Sequence, residues 1–319
     1  MSGPPTMAEP RTLLAQRSAA ASPAAGRRRG GPAPRRRWSG WLYILPAAVV
    51  YLAFAIWPTI ATARLSFFEW NGILPPRWVG LDNYREIFDT PALYGAVGHS
   101  LVLVVFFSMI PVAFGLFLTA MLSGRVRRGM AFFRVVFFLP QVLPLVAVGI
   151  TWRWLYSDDG VVNEALTAVG LGGITRAWLG DYGVALFALG LIGTWVMSGL
   201  CMMLFLSGVQ KIDPSLYEAA VLDGAGAVRQ FFAVTLPGLR GEVSIAAVIT
   251  TIAALASFDL VYVTTNGGPA NQTTVPGLLV YRLAFTQGDI GGAAALAVVL
   301  AVIVIGLVTV IRWLTKERS

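Results

Sequence analysis

Few side chains in this sequence are equipped for chemistry. Among 319 residues there is one histidine and one cysteine, so His99 has no companions for a metal site and Cys201 has no partner for an intrachain disulfide. Both read as packing or interface residues. No GxxxxGK[ST] loop is available to cradle a nucleotide phosphate, and GAGAVR at 224–229 lacks the final glycine and the preceding strand of a dinucleotide fingerprint. Paired carboxylates, Ser/His/Asp sets and HExxH patterns are missing from the apolar runs, which makes an enzyme the weakest class. Two groups of residues remain to be explained. One is Glu218 and Asp223 in the segment EAAVLDGAGAVRQFFAVTLP (218–237); the other is Trp195, Thr250, Ala254, Ser257 and Asp259, within or at the edge of long apolar stretches.

The first group reads as a helix-turn-helix. Asp213 can cap a helix whose first position is Pro214, where a missing N–H costs nothing, and the helix runs about two turns to Gly224. Tyr217, Ala220, Val221 and Gly224 follow i, i+3, i+4, i+7 spacing and give one apolar stripe, with Glu218 and Asp223 off it. A second short helix is expected over roughly 226–233, and Pro237 marks the start of the next long helix. Small residues Ala219, Ala220, Gly224 and Ala225 would let another protein approach the backbone closely, and Glu218 offers a charge to it. The competing reading is an amphipathic loop lying on lipid headgroups.

The elements that hold these residues are membrane helices. The composition is 56% hydrophobic and 13% charged, with a mean hydropathy of +0.71, too apolar for a soluble domain of this length. Six runs approach the roughly 20 residues a spanning helix needs: 41–63, 98–122, 135–156, 183–207, 241–263 and 289–312. Backbone groups must pair internally in hydrocarbon, and continuous apolarity without alternation selects helices over barrel strands. The expected fold is an all-α membrane protein. Lysines and arginines set its orientation: 18 of the 24 fall in the N-terminal tail, the loops after spans two and four, and the C-terminus. Both termini and the 208–240 loop are therefore expected in the cytoplasm. The net charge of +8 follows from this topology, and nucleic-acid binding is not needed to explain it. Residues 1–40, rich in Pro, Ala, Gly and Arg without an apolar core segment, read as a disordered basic tail ahead of a membrane domain over 41–319. The tail's arginines serve either as a topology signal or as contacts to anionic lipid.

Several motifs in order resemble one family. Glu218-Ala219-Ala220, Asp223-Gly224-Ala225, Phe232 and Leu236-Pro237 look like the EAA loop of binding-protein-dependent ABC importer permeases. FRVVFFLPQVLP (133–144), WRWLYSDDGVVNEAL (152–166), FDLVYVTTNGGPANQTT (258–274) and YRLAF (281–285) are similar to the carbohydrate-type permeases of that family, such as the maltose, lactose and glycerol-3-phosphate importers. The resemblance implies a bacterial inner-membrane subunit of six spans, with a coupling helix-turn-helix between spans four and five. Its implied partners are ABC ATPase subunits, a second permease, usually a different chain, and an extracytoplasmic binding protein that delivers a sugar. ATP and Mg would be used by the ATPase subunits, with no cofactor or metal held by this chain. On this reading Glu218, Ala219, Ala220, Asp223, Gly224 and Ala225 form the ATPase-coupling segment.

The second group would line the substrate path. Thr250, Ala254 and Ser257 share a face at i, i+4, i+7, and the family's transport cavity draws on the matching segment; small and hydroxylated residues also serve plain helix packing. Trp195 can stack on a sugar ring or simply pack. Asp259, near the outer end of span five, is the one carboxylate expected within the bilayer there, as a functional group or one that snorkels to the interface. The absence of Lys or Arg deep in spans four and five leans toward a neutral sugar. Two other classes stay open: an ion-coupled secondary transporter, disfavoured because inverted repeats and midplane carboxylates are not evident, and a membrane scaffold that transports nothing.

Overall fold

Apolarity and proline together explain most of the helix boundaries. The computed structural model describes Gly3, residues 38–122 and residues 130–315. Apart from Gly3, the expected basic tail up to Arg37 lies outside the described residues, as do the basic loop at 125–128 and residues 316–319.

The chain divides into two units at Ala55/Ile56. In the first, α1 (Trp38–Tyr51) passes into a π-helical turn, Leu52–Ile56, whose last residue belongs to the second. The second unit begins as that turn runs into α2 (Trp57–Leu65), followed by a two-stranded hairpin, β1 (Phe68–Glu69) and β2 (Arg77–Trp78), with Phe68 opposite Trp78 and Glu69 opposite Arg77. The Arg77 guanidinium and Glu69 carboxylate close the hairpin as an ion pair. Next come α3 (Asp82–Asp89) and α4 (Pro91–Val104), which continues through a π turn at Val105–Met109 into α5 (Ile110–Leu122).

After the undescribed loop, α6 (Met130–Val142) and α7 (Leu145–Leu155) meet at an angle of 101°. The single helix expected over 135–156 is thus a bent pair. Pro144 disfavours helical backbone at Leu143 and itself sits extended at ψ 131°, as the residue before α7. A short α8 (Val161–Ala168) precedes α9 (Ala185–Val209), whose 25 residues extend about 37 Å. Then follow α10 (Pro214–Leu222), α11 (Ala227–Gln230), a π turn at Phe231–Thr235 and α12 (Leu236–Gly238). The helix through Ala227–Gly238 bends by 68° into α13 (Arg240–Leu255). Where one span was expected over 241–263, α13 ends at Leu255 and α14 (Asp259–Thr264) starts after a break. The chain finishes with α15 (Pro276–Tyr281), a π turn at Arg282–Gln287 and α16 (Ile290–Thr315).

Three of these π turns share a cause. Leu52–Ile56, Val105–Met109 and Phe231–Thr235 each end two residues before a proline, at Pro58, Pro111 and Pro237. Proline removes one amide and crowds the carbonyl four residues earlier. Widening the preceding turn lets the helix continue rather than stop.

Four helical stretches among the described residues are long and apolar enough to cross a membrane, and six if each bent pair counts as one span. The most enclosed is α9, with 67% of its apolar window buried. Leu189, Ile192 and Val196 on it pack with Phe107, Val261 and Leu278 in the main core. Gly199 sits where α6 crosses α9, and a Cβ there would run into the Phe137 carbonyl. The hairpin is tied to the start of α16 by Ile290 N donating to Trp70 O at 2.9 Å. Asn83 Nδ2 braces it by donating to the carbonyls of Ser66 (2.9 Å) and Phe68 (3.0 Å).

Candidate functional site

The segment after α9 is held by local chemistry that its sequence dictates. Asp213 Oδ1 accepts from the Ser215 amide at 2.9 Å, and Pro214 occupies the first helical position of α10. That amide bond favours the carboxylate and holds the Asp213 carboxyl below its usual range. At the other end, Gly224 adopts φ +74°. Its amide donates to Val221 O at 2.9 Å, and the Ala225 amide donates to Ala220 O at 2.9 Å. These are the two bonds of a Schellman cap, with glycine at its left-handed position. No atom lies within 4 Å of where a Gly224 Cβ would be, so backbone conformation alone asks for glycine there.

The helix-turn-helix is then clamped at three points. Tyr217 Oη lies 2.9 Å from Thr235 Oγ1, joining α10 to the π turn. Gln230 Nε2 donates to Ala225 O at 2.7 Å across the turn. At the base, Lys211 Nζ pairs with Glu242 Oε1 at 2.9 Å, tying the end of α9 to the start of α13. The second helix does not stop near residue 233 as expected, because the π turn carries it through Pro237 to Gly238. The expected apolar stripe also divides. Tyr217 and Ala220 are half-buried, whereas Val221 faces outward. Glu218, Ala219, Asp223 and Gly224 are exposed, and Ala225 is buried at 9% exposure beneath the turn. Leu222 and Val228 flank the turn at 88% and 73% exposure, with Phe232 also exposed. The tip therefore shows apolar side chains beside two carboxylates, on a frame closed by these three contacts.

The five residues expected along a path are separated by the fold. Thr250 and Ala254 are fully buried and Ser257 nearly so. Thr250 Oγ1 lies 2.7 Å from Ser108 Oγ and 2.8 Å from Ala246 O, and Thr251 Oγ1 is 3.3 Å from Ser108, so hydroxyls knit α13 to the π turn between α4 and α5. Ser257 Oγ donates to Ala254 O at 2.6 Å in the break after α13. Trp195 is half-exposed and meets Trp152 edge-on at 5.5 Å between ring centroids. Asp259, at the first position of α14, is exposed.

Two arrangements were not foreseen. Asn163 is buried and organises the segment after α7: its Nδ2 donates to the carbonyls of Ser157, Asp158 and Arg176, and its Oδ1 accepts from Trp178 Nε1 at 2.8 Å. Arg282 latches the loop after α14 through Asn266 O at 2.6 Å and Asn271 Oδ1 at 3.0 Å, while His99 Nδ1 lies 2.9 Å from Thr274 O. The quoted motifs held all three asparagines, but only tertiary contacts show what they bind. Among the described residues no group of three or more His, Cys, Asp or Glu is placed to hold a metal.

Comparison with known proteins gives this geometry a family. Residues 100–316 match the family described as binding-protein-dependent transport system inner membrane component. The chain is 36% identical over 270 residues to the probable ABC transporter permease protein YurN of Bacillus subtilis (strain 168), covering 84% of this chain and 92% of that one. It is 32% identical over 284 residues to the lactose transport system permease protein LacF of Rhizobium radiobacter, covering 88% and 95%. Its fold matches a chain in the crystal structure of a bacterial ABC transporter involved in the import of the acidic polysaccharide alginate, with a TM-score of 0.76 at 21% identity, covering 89% of this chain and 97% of that one. The chain belongs to the family of binding-protein-dependent transport system inner membrane components, and is a multi-pass permease subunit.

Proposed function

We propose that this permease carries a sugar or oligosaccharide into the cell as part of an ATP-driven importer, and that residues 213–238 are the handle by which ATPase subunits drive it. The single observation that carries the coupling role is the clamped helix-turn-helix with its exposed apolar tip. Leu222 and Val228 project from a frame fixed by the Gly224 cap and by the Tyr217–Thr235 and Lys211–Glu242 contacts. An apolar tip rimmed by Glu218 and Asp223 suits insertion into a protein cleft better than contact with lipid headgroups, because anionic lipid repels carboxylates. The Lys211–Glu242 pair gives the handle a mechanical connection to α9 and α13. A push at the tip is thereby delivered to two helices at once, which is what a swing between inward-open and outward-open states requires.

The bent pairs α6–α7 and α11–α13 each count as one span on this reading, giving six spans with both termini and the 213–238 handle in the cytoplasm. The charge asymmetry of the loops supports that orientation. Nucleotide and Mg are used by the ATPase subunits. A second permease, a different chain, completes the pore, and an extracytoplasmic binding protein supplies the sugar. The carbohydrate assignment draws on the transport systems named for the relatives, lactose among them. In the path, Trp195 and Asp259 are the residues open to a solute, while Thr250, Ala254 and Ser257 are taken up in packing.

Uptake into proteoliposomes containing the full complex tests the proposal. Accumulation of a labelled sugar that needs both trapped ATP and added binding protein is expected. Uptake driven by a proton or sodium gradient without ATP, or no uptake under any condition, would replace the importer with an ion-coupled carrier or a scaffold.

A further inference from the structure

Four aromatic rings, two at the start of α14 and two along α15 and the π turn that continues it, form a continuous surface that begins next to Ser257 in sequence. Phe258 and Tyr262 stack along the start of α14 at 5.2 Å between centroids, with 26° between ring planes. Tyr281, at the end of α15, meets both, at 5.2 Å from Phe258 and 5.1 Å from Tyr262. Phe285, one turn further along, extends the row at 5.2 Å from Tyr281. The two elements are brought together by Gly277, where a Cβ would come 3.3 Å from that of Phe258. The row is open: Tyr262 is 40% exposed and Phe285 78%.

Polar groups edge the same surface. The Tyr262 and Tyr281 hydroxyls lie 3.4 Å apart. Asp259 stands between Phe258 and Tyr262 in sequence, exposed, and its carboxylate makes no hydrogen bond or ion pair to any described residue. It is three residues before Tyr262, which places the two on neighbouring positions of the helix surface. A surface built only for lipid tails gains nothing from an unpaired carboxylate, which is costly in hydrocarbon. A surface built only to pack would not leave the phenol oxygens and the carboxylate without other partners. Flat rings with hydroxyl and carboxylate groups at their margin suit one ligand chemistry well. The C–H face of a pyranose covers the rings, and its equatorial hydroxyls reach the polar edge.

We infer that Phe258, Tyr262 and Tyr281, with Asp259 as hydroxyl acceptor, form a saccharide-stacking site beside the transport path. This rests on the carbohydrate reading above and specifies how the sugar is held. The rings bind the pyranose face, and the carboxylate accepts from a hydroxyl of the same unit. Phe285 prolongs the stack for a second sugar unit.

The test uses the complete transporter in proteoliposomes with its binding protein, and a panel of labelled glucose, lactose, maltose and maltotriose. For whichever member the unaltered protein transports, Tyr262→Ala is expected to raise KM about 10-fold, equivalent to about 1.4 kcal/mol of lost contact, while Tyr262→Trp stays close to the unaltered value. A second readout does not depend on transport. Cys201, the one native cysteine, is fully buried, so Tyr262→Cys can be labelled selectively by a membrane-impermeant maleimide, and the transported sugar is expected to slow that labelling. An unchanged KM in Tyr262→Ala, or a cysteine whose labelling ignores the sugar or never occurs, overturns the site and leaves the importer standing. Transport of no member of the panel by the unaltered complex overturns the carbohydrate reading and this inference with it.

Discussion

Gly224 offers the sharpest mechanical test of the handle. Its φ of +74° lies where an L-residue pays about 1 kcal/mol, and because no atom approaches the site within 4 Å, Gly224→Ala incurs that backbone cost with no steric term. One kcal/mol weakens the cap about five-fold relative to open states, a modest loosening. Gly224→Pro is far more severe. Its ring fixes φ near −65°, so the left-handed turn is unreachable. The 2.9 Å amide bond from Gly224 to Val221 O is also lost, at about 1 kcal/mol. Gly224→Asn should be nearly silent, since asparagine tolerates this region. The assay is sugar transported per ATP hydrolysed in proteoliposomes, with membrane yield as the control. The expected order is Gly and Asn together, then Ala slightly reduced, then Pro with hydrolysis and transport uncoupled, all four inserted normally. Normal coupling in Gly224→Pro would refute the argument that a rigid turn transmits force.

Other expectations follow from the same contacts. Leu222→Asp removes the most exposed apolar side chain of the tip, and Glu218→Lys reverses a charge beside it; either should lower ATPase recovery in detergent co-purification at least 10-fold, and full recovery in both would argue against the docking surface. Gly199→Val forces a side chain against the Phe137 carbonyl at the α6–α9 crossing, with an expected loss of about 3 kcal/mol, readable as a lowered thermal midpoint in detergent, whereas an unchanged midpoint would mean the crossing can open freely. The Asp213 cap is stronger when the carboxyl is ionised, because its folded-state range is depressed by the Ser215 amide. Its stabilising effect is therefore present above the ordinary aspartate value near 4 and is lost as pH falls through the lower folded one. Amide exchange at Ser215, measured against Asp213→Asn, should show acid-induced opening only in the native protein.

Much of the handle could be read from the sequence because its determinants are local. Asp213 and Pro214 start α10 and Gly224 ends it, each through bonds to residues within five positions. The second helix was harder, since Pro237 looks like a stop until the π turn at Phe231–Thr235 absorbs its missing amide. The bend between α6 and α7 was hidden for a related reason. The stretch 135–156 stays apolar enough on average to read as one span despite Gln141 and Arg153, and hydropathy reports how oily a stretch is but not its direction; Pro144 was the signal for the break. The path residues expose a different limit. Thr250 and Ala254 have the small polar character of a lumen and of a tight helix contact alike, and only the Ser108 hydroxyl opposite Thr250 shows which neighbour they meet in this chain. Asn163 and Arg282 were invisible as organisers because their partners lie on loops whose course the sequence does not reveal.

The most direct measurement is crosslinking in intact membranes from single cysteines placed at Leu222 and Val228 in a Cys201→Ser background. If 213–238 is gripped by a motor from inside the cell, both positions should capture an ATP-hydrolysing subunit, and adding nucleotide should change the yield. Capture of phospholipid alone, with no ATPase attached at either position, would contradict the account.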